Sequence, residues 1–261
     1  MKSMSNRFAP LAGLWLAALF CLPGVTQADF TLIGRSTFTA MNMPNTGKEA
    51  LLVKKNRLRR DVSERGRVYS YLYDLGKNEV TVVDHFLRQA ETHTLASVAK
   101  SAGAVKDLRL ELSPTGRKHT MQDWNCEEHN LAADMPGEMG QEKVRVLLSG
   151  QVWLESKASE RKEIAPFLKA VAAEDFFVGV VNPGKPISSQ AQGINEAMRR
   201  ILAKGMICAG EIQMRYEGGG PMADLGRRMA NRMSIVYDTL SGDTLREDVF
   251  DIPPGYRVLR R

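Results

Sequence analysis

Apolar and polar residues alternate with a period of two from Phe30 to about Leu148, the spacing of strands that bury one face. Phe30, Leu32 and Phe38 share one face of a first strand. Residues 49–60 predict a second, entered through the polar turn residues Asn42, Pro44, Asn45 and Gly47. Residues 67–74 place Tyr69, Tyr71 and Tyr73 on one face and Val68 and Leu72 on the other. The β-branched run 79–87 follows the turn Gly76-Lys77-Asn78. Leu108, Leu110 and Leu112 alternate with Asp107, Arg109 and Glu111, and Pro114-Thr115-Gly116 turns that strand into 117–123. Residues 126–133 and 144–155 continue the pattern. Successive strands joined by short turns predict an antiparallel meander.

Two stretches change period. Over 159–176, Ile164, Phe167, Leu168 and Val171 recur at helical spacing, and Pro166 favours a helix beginning there, where a missing N–H costs nothing. Over 189–204, Ser189 and Gln192 form a capping-box pair, Ala191, Ile194, Ala197, Met198, Ile201 and Leu202 form an apolar stripe, and Gly205 suits a left-handed cap. Residues 182–186 between the helices read as a loop. Residues 206–216 return to a strand, with Cys208, Ile212, Met214 and Tyr216 on one face. Residues 218–221 turn. Around 227–237, Met222, Leu225 and Met229 suit a helix, whereas Met233, Ile235 and Tyr237 suit a strand, which is the reading preferred. Residues 243–251 pair last, and 253–255 close the fold. The predicted class is mainly β with helices, α+β, in a single domain over 29–261.

The first 28 residues carry a different pattern. Lys2 and Arg7 precede an almost wholly apolar run over 11–22, Pro23-Gly24 break it, and Thr26-Gln27-Ala28 offers the small-x-small pattern read by a signal peptidase. The run is about a dozen residues, short of the roughly 20 that span a bilayer. The mature chain is therefore expected to begin at Asp29, in the periplasm. Phe20 before Cys21 does not suit a lipobox. Loss of Lys2 and Arg7 lowers the formal charge from +6 to +4. That mild excess suits anionic headgroups or acidic partners and argues, with export, against nucleic acid. Cys21 leaves with the signal. Cys126 and Cys208 remain, and an oxidising compartment favours a disulfide between them over two buried thiols.

No constellation specifies a reaction. His85, His93, His119 and His129 lack metal-ligand spacing, there is no Gly-x-Ser-x-Gly elbow, and nothing selects a pair of carboxylates. No catalytic residue, metal or cofactor is expected. The tyrosine stripe suits either the lining of a ligand cleft or a sheet surface. The late methionines Met206, Met214, Met222, Met229 and Met233 suit an adaptable pocket or core filling. The basic run, including Lys54, Lys55, Arg57, Arg59, Arg60, Arg65 and Arg67, suits anionic lipid or an acidic partner, or a solvated edge kept soluble.

Four stretches resemble a family of secreted bacterial proteins of unknown function. They are Asn56-Arg57-Leu58-Arg59-Arg60-Asp61, Asp123-Trp124-Asn125-Cys126-Glu127-Glu128-His129, Gly150-Gln151-Val152-Trp153-Leu154 and Phe250-Asp251-Ile252-Pro253-Pro254-Gly255-Tyr256. The resemblance implies a fold like the periplasmic lipoprotein-localisation factors LolA and LolB: a curved antiparallel half-barrel sheet with a helical lid. The stretch 177–205 departs from it. A greasy cleft between such a sheet and its helices holds acyl chains or other apolar ligands. The expected function is a carrier of a lipid or acylated partner, without chemistry. Tyr69, Tyr71, Tyr73, Met214 and Tyr216 would line the ligand, and Lys54, Lys55, Arg57, Arg59 and Arg60 would meet a headgroup or partner. The alternative is an envelope interaction module that docks through its basic sheet face and has no cleft.

Overall fold

A computed structural model describes residues 29–40, 43–64, 66–102, 105, 107–173, 176, 188–228 and 231–260. The export signal expected over 1–28, the loop 182–186, Asn42, Arg65 and Met229 lie outside the described residues.

Among the described residues, twelve strands form one open sheet. In chain order they are β1 Phe30–Ala40, β2 Met43–Lys54, β3 Arg57–Glu64, β4 Arg67–Asp74, β5 Glu79–Asp84, β6 Gln89–Thr94, β7 Arg109–Met121, β8 Trp124–Met139, β9 Glu142–Glu155, β10 Met206–Glu217, β11 Asn231–Ser241 and β12 Arg257–Arg260. The spatial order is β12-β6-β5-β4-β3-β2-β1-β11-β10-β9-β8-β7. Every pair is antiparallel except β12 with β6. Four helices among the described residues accompany the sheet: α1 Leu95–Ala102, α2 Ala165–Ala172, α3 Ser189–Leu202 and α4 Pro221–Arg228, with 3₁₀ turns at Ser156–Glu160 and Glu247–Phe250.

The sheet curls strongly. Phe30 on β1 stacks on Trp124 of β8 with ring centroids 5.9 Å apart, although β8 is the fourth strand from β1. Four strand spacings in a flat sheet would separate them by about 19 Å. The inner face carries one continuous core that includes Leu32, Val53, Leu58, Tyr71, Val82, Met135, Val146 and Leu154. Helices α1, α2 and α3 add Val98, Phe167, Val171, Ala197 and Ile201 to it.

Several strands differ from the sequence pattern. The stretch 49–60 is the end of β2 and the start of β3. Lys55 adopts φ 53° and, with Asn56, closes a two-residue hairpin. Residues 43–47 belong to β2 rather than to a turn. The run 79–87 ends at Asp84, whose carboxylate accepts from the Phe86 and Leu87 N–H groups and so turns the chain into β6. Residues 114–116 do not divide a hairpin. They form an irregularity within β7, where Thr115 and Arg117 reach the buried Glu128 carboxylate. The ambiguous stretch after Gly220 contains both elements in turn, α4 and then β11. Residues 243–251 form no strand; β12 is the last.

The helix predictions need two small corrections. The N-cap of α3 is Ser188, whose hydroxyl accepts from Ala191 N–H, one residue before the predicted cap. Gly205 has no positive φ. It is required because a Cβ there would sit 2.6 Å from the Glu155 carbonyl oxygen.

Candidate ligand-binding groove

At the end of the sheet where β9 and β10 are joined, the chain leaves the sheet. The Glu155 carboxylate holds this exit, accepting from Asn125 N–H at 2.6 Å and from Lys157 N–H at 2.9 Å. The chain then runs through the 3₁₀ turn into α2, which starts at Ala165, one residue before the expected Pro166, and has no side-chain cap on Ile164. Helix α2 buries Phe167, Leu168 and Val171. Arg199 of α3 ties the two helices by donating to the Val171 and Ala172 carbonyls, each at 3.2 Å.

Between these parts lies an open groove of about 900 Å³. Its apolar wall is made by Ala165, Pro166, Leu168, Ala172, Leu202 and Ala203. Ser156, Ser159 and the hairpin residue Asn56 add polar edges, and Lys162, Lys169 and Lys204 add charge. A second, smaller groove of about 500 Å³ lies beside Phe30 and Leu240. The ion pair of Arg161 with Asp123, at 2.9 Å, stands on its wall.

The tyrosines and the β10 residues lie deeper. Tyr71 is fully buried, Tyr73 stacks on Phe176 at 5.1 Å, and Tyr69 packs against the same core. Met214 and Tyr216 lie four strands beyond β3 on the same inner face; the Tyr216 hydroxyl donates to Met214 Sδ at 3.2 Å. Gln190 of α3 donates to that hydroxyl. Helix α3 sits close on β8: a Cβ on Gly193 would meet Met135 Sδ at 2.5 Å. None of the five expected lining residues is on the wall of either groove. A charge placed at Tyr71 would therefore break the core instead of reporting on a ligand.

The basic strand divides between the two faces. Leu58, Arg60 and Val62 point inward, and Arg57, Arg59 and Asp61 outward. Arg60 stands 3.6 Å from Glu49, which also accepts from the Tyr237 hydroxyl at 3.3 Å. Burial opposes the Arg60 charge, but Glu49 and the hydroxyls of Tyr237, Tyr73 and Tyr71 outweigh it and raise the pKa. Burial pushes Tyr73 up to about 12, against the pull of Arg60. On the outer face the acidic C-terminal segment meets the cations. Arg57 pairs with Asp251 at 2.5 Å and Lys54 with Glu247 at 3.1 Å, while Arg59 donates to the Val249 carbonyl at 2.7 Å. Lys55 is exposed in the hairpin turn.

Sequence reasoning missed this C-terminal clamp. Arg59 holds both Asp61 oxygens, and the buried Ser70 hydroxyl donates to Asp61 Oδ1 at 2.5 Å. The same hydroxyl lies 2.7 Å from His85 Nε2, and His85 Nδ1 lies 3.0 Å from the Tyr256 hydroxyl. With Ser70 donating to Asp61, the consistent tautomer has Nε2–H donating to Ser70 and Nδ1 accepting from Tyr256. Burial lowers the His85 pKa, opposed by Asp61. Beside this chain, Ile252 and Tyr256 cover Leu72, Val83 and Ala90. The available signal was charge complementarity between the basic strand and Glu247, Asp248 and Asp251.

The disulfide between Cys126 and Cys208 is present. Among the described residues, no group of three or more His, Cys, Asp or Glu side chains is placed to hold a metal ion. No helix among them is long and apolar enough to cross a membrane.

No protein-family model matches the chain, and no curated protein matches it. It is similar to the solved structure of PNGF-II, with a TM-score of 0.35 and 8% identity over 89% of this chain and 31% of that one. The chain thus spans about a third of that protein's length. It is also similar to a LolA superfamily protein from Nitrosomonas europaea, with a TM-score of 0.29 and 10% identity over 86% of this chain and 90% of that one. A domain from Vibrio parahaemolyticus described as an outer membrane lipoprotein-sorting protein gives a TM-score of 0.31 and 10% identity over the same shares, 86% and 90%. Likenesses at this level assign neither a family nor an activity.

Proposed function

We propose that the chain is an exported, periplasmic binding protein that carries a hydrophobic ligand or acylated partner, without chemistry, in the groove between α2 and the end of α3. The observation that carries this reading is the groove itself. Its volume of about 900 Å³ falls in the range of small-molecule sites, and most of its wall is apolar. In this reading α2 and α3 are a lid. Helix α2 has only eight residues and is held by its apolar face and by Arg199. The inner tyrosines and Met214 become the floor beneath the lid, reached by a ligand only when α3 lifts from β8. The disulfide supports an oxidising compartment.

The interaction module has less support. The outward cations Lys54, Arg57 and Arg59 are already engaged by the chain's own C-terminal segment. A partner would first have to displace it.

Native mass spectrometry of residues 29–261 purified from an envelope fraction, followed by organic extraction, tests the carrier. A reproducible co-purifying acyl species is expected. A bare protein mass that gains nothing on incubation with lipids would overturn the reading.

A further inference from the structure

The turn between β5 and β6, His85-Phe86-Leu87-Arg88, carries side chains that a tight turn does not call for. Small polar residues and glycine serve such turns best. Here Phe86 is 68% exposed and Leu87 53%. The turn is held rigidly: the buried Asp84 carboxylate accepts from both of their N–H groups at 2.9 Å, and Arg88 takes φ 51°. The neighbouring start of β4 adds to it. The His85 N–H donates to the Val68 carbonyl at 3.2 Å, and the Val68 side chain is itself exposed. The Arg67 guanidinium lies 5.0 Å from the centre of the Phe86 ring, and that of Arg88 5.7 Å from Tyr256. Arg67 also bonds to the Tyr69 hydroxyl and feels Asp84. Both arginines are exposed, and Arg88 has no carboxylate partner among the described residues. The fold thus fixes an apolar point with two cations at its base.

A second copy of the chain fits this point poorly. Two such turns packed about a two-fold axis would bring their arginines together. Three partly exposed side chains also fall well short of the roughly 800 Å² per partner that a stable complex buries. A bilayer surface asks for neither a matching pocket nor a large area. It takes a projecting apolar point into its interfacial layer and offers phosphates to the cations around it. We propose that the His85–Arg88 turn is a membrane-docking tip, with Phe86 and Leu87 entering the interface of an anionic phospholipid bilayer and Arg67 and Arg88 meeting its phosphates. Met43 in the β1–β2 hairpin and Met222 and Leu225 of α4, all exposed, belong to the same end of the sheet. The groove wall residue Asn56 closes β2 and β3 at the opposite end. The tip therefore stands apart from the carrier reading and does not rest on it.

Co-sedimentation of residues 29–261 with sucrose-loaded vesicles tests this, using phosphatidylglycerol and phosphatidylcholine in equal parts or phosphatidylcholine alone. Binding to the anionic vesicles is expected, and raised salt should weaken it. Leu87→Asp should lower the partition about tenfold or more, since an inserted leucine is lost and a charge gained. Arg88→Gln should lower it about fivefold, the share of one basic residue near an anionic surface. Leu87 is exposed, so the melting temperature of Leu87→Asp should not move. A nitrobenzoxadiazole label on Leu87→Cys should shift to the blue on anionic vesicles. The same label on Val236→Cys, exposed on β11 away from the turn, should not. Full binding by the Leu87→Asp protein would overturn the proposal, as would failure to bind anionic vesicles. Equal binding to the neutral vesicles would overturn the part given to the arginines. A concentration-dependent dimer abolished by Leu87→Asp would assign the tip to a second copy and overturn membrane docking. Leu87→Asp should leave lysophosphatidylglycerol affinity at the groove unchanged, which separates failure of the tip from failure of the carrier.

Discussion

The Cα atoms of Cys126 and Cys208 stand 6.4 Å apart, although β9 runs between their strands. Next-nearest strands in a flat sheet lie about 9.6 Å apart. The sheet therefore folds sharply about the end of β9, and Cys208 falls at the register shift between Ile207 and Ala209 that allows the bend. Both cysteines are buried in the inner core. The bond fixes the curl at the same end of the sheet where Phe30 meets Trp124 and where the groove opens.

Reduction should therefore loosen this end first. The Cys126→Ser/Cys208→Ser variant is expected to lose up to about 4 kcal/mol on a chain-entropy model, given the 82-residue separation. Denaturant unfolding with and without reductant measures it. An unchanged midpoint would show that the curl is held by packing alone.

Period-two alternation made most strands legible, because burial of one face imposes it. The 67–74 strand and the inward set Cys208, Ile212, Met214 and Tyr216 match the structure. What was not legible depends on long-range partners. The Lys55-Asn56 hairpin has no glycine to announce it, and β6 and α1 have no strong pattern of their own. Pro114-Thr115-Gly116 looked like a turn because turn chemistry also serves an irregularity inside a strand. The groove is harder still. Ala165, Ala172 and Ala203 are ordinary helix residues in sequence, and only the approach of α2 to the end of α3 turns them into a wall. Arg60 differs from Arg57 and Arg59 only through the face it takes.

The seat of α3 on β8 depends on the missing side chain at Gly193. Gly193→Ala would place Cβ within 2.5 to 3.3 Å of Met135 Sδ, Cγ and Cβ. The expected cost is about 1–3 kcal/mol of stability. Met135→Ala made together with it should recover part of that cost, a non-additive result in a double-mutant cycle. Simple additivity would show that α3 has moved off β8.

Tyr256 links the C-terminal segment to the sheet through His85. Tyr256→Phe removes the hydroxyl but keeps the ring over Leu72, Val83 and Ala90. A loss of about 1 kcal/mol is expected. Faster amide exchange in β12 and β6 should accompany it, since these strands pair along that edge. Unchanged exchange there would detach the hydroxyl from any clamping role.

His85 should give the fold a pH dependence of known sign. Burial lowers its pKa below the ordinary 6.5, so the unfolded chain binds more protons than the folded one below that value. Its contribution is full above about pH 6.5 and falls as pH drops through the folded pKa. Asp61, Arg59 and Asp84 also face the ring. His85→Gln should flatten the stability slope between about pH 7 and 5. A slope that persists in the variant would assign it to the neighbouring carboxylates.

The central claim is that the groove is the ligand site. Ala172→Trp tests it most directly, because Ala172 is exposed on the groove wall and its backbone carbonyl remains available to Arg199. Equilibrium titration with lysophosphatidylglycerol should show affinity falling at least tenfold against an unchanged melting temperature, as the indole fills space otherwise taken by the acyl chain. Undiminished binding by the folded Ala172→Trp protein would contradict the account and place the ligand elsewhere on the chain.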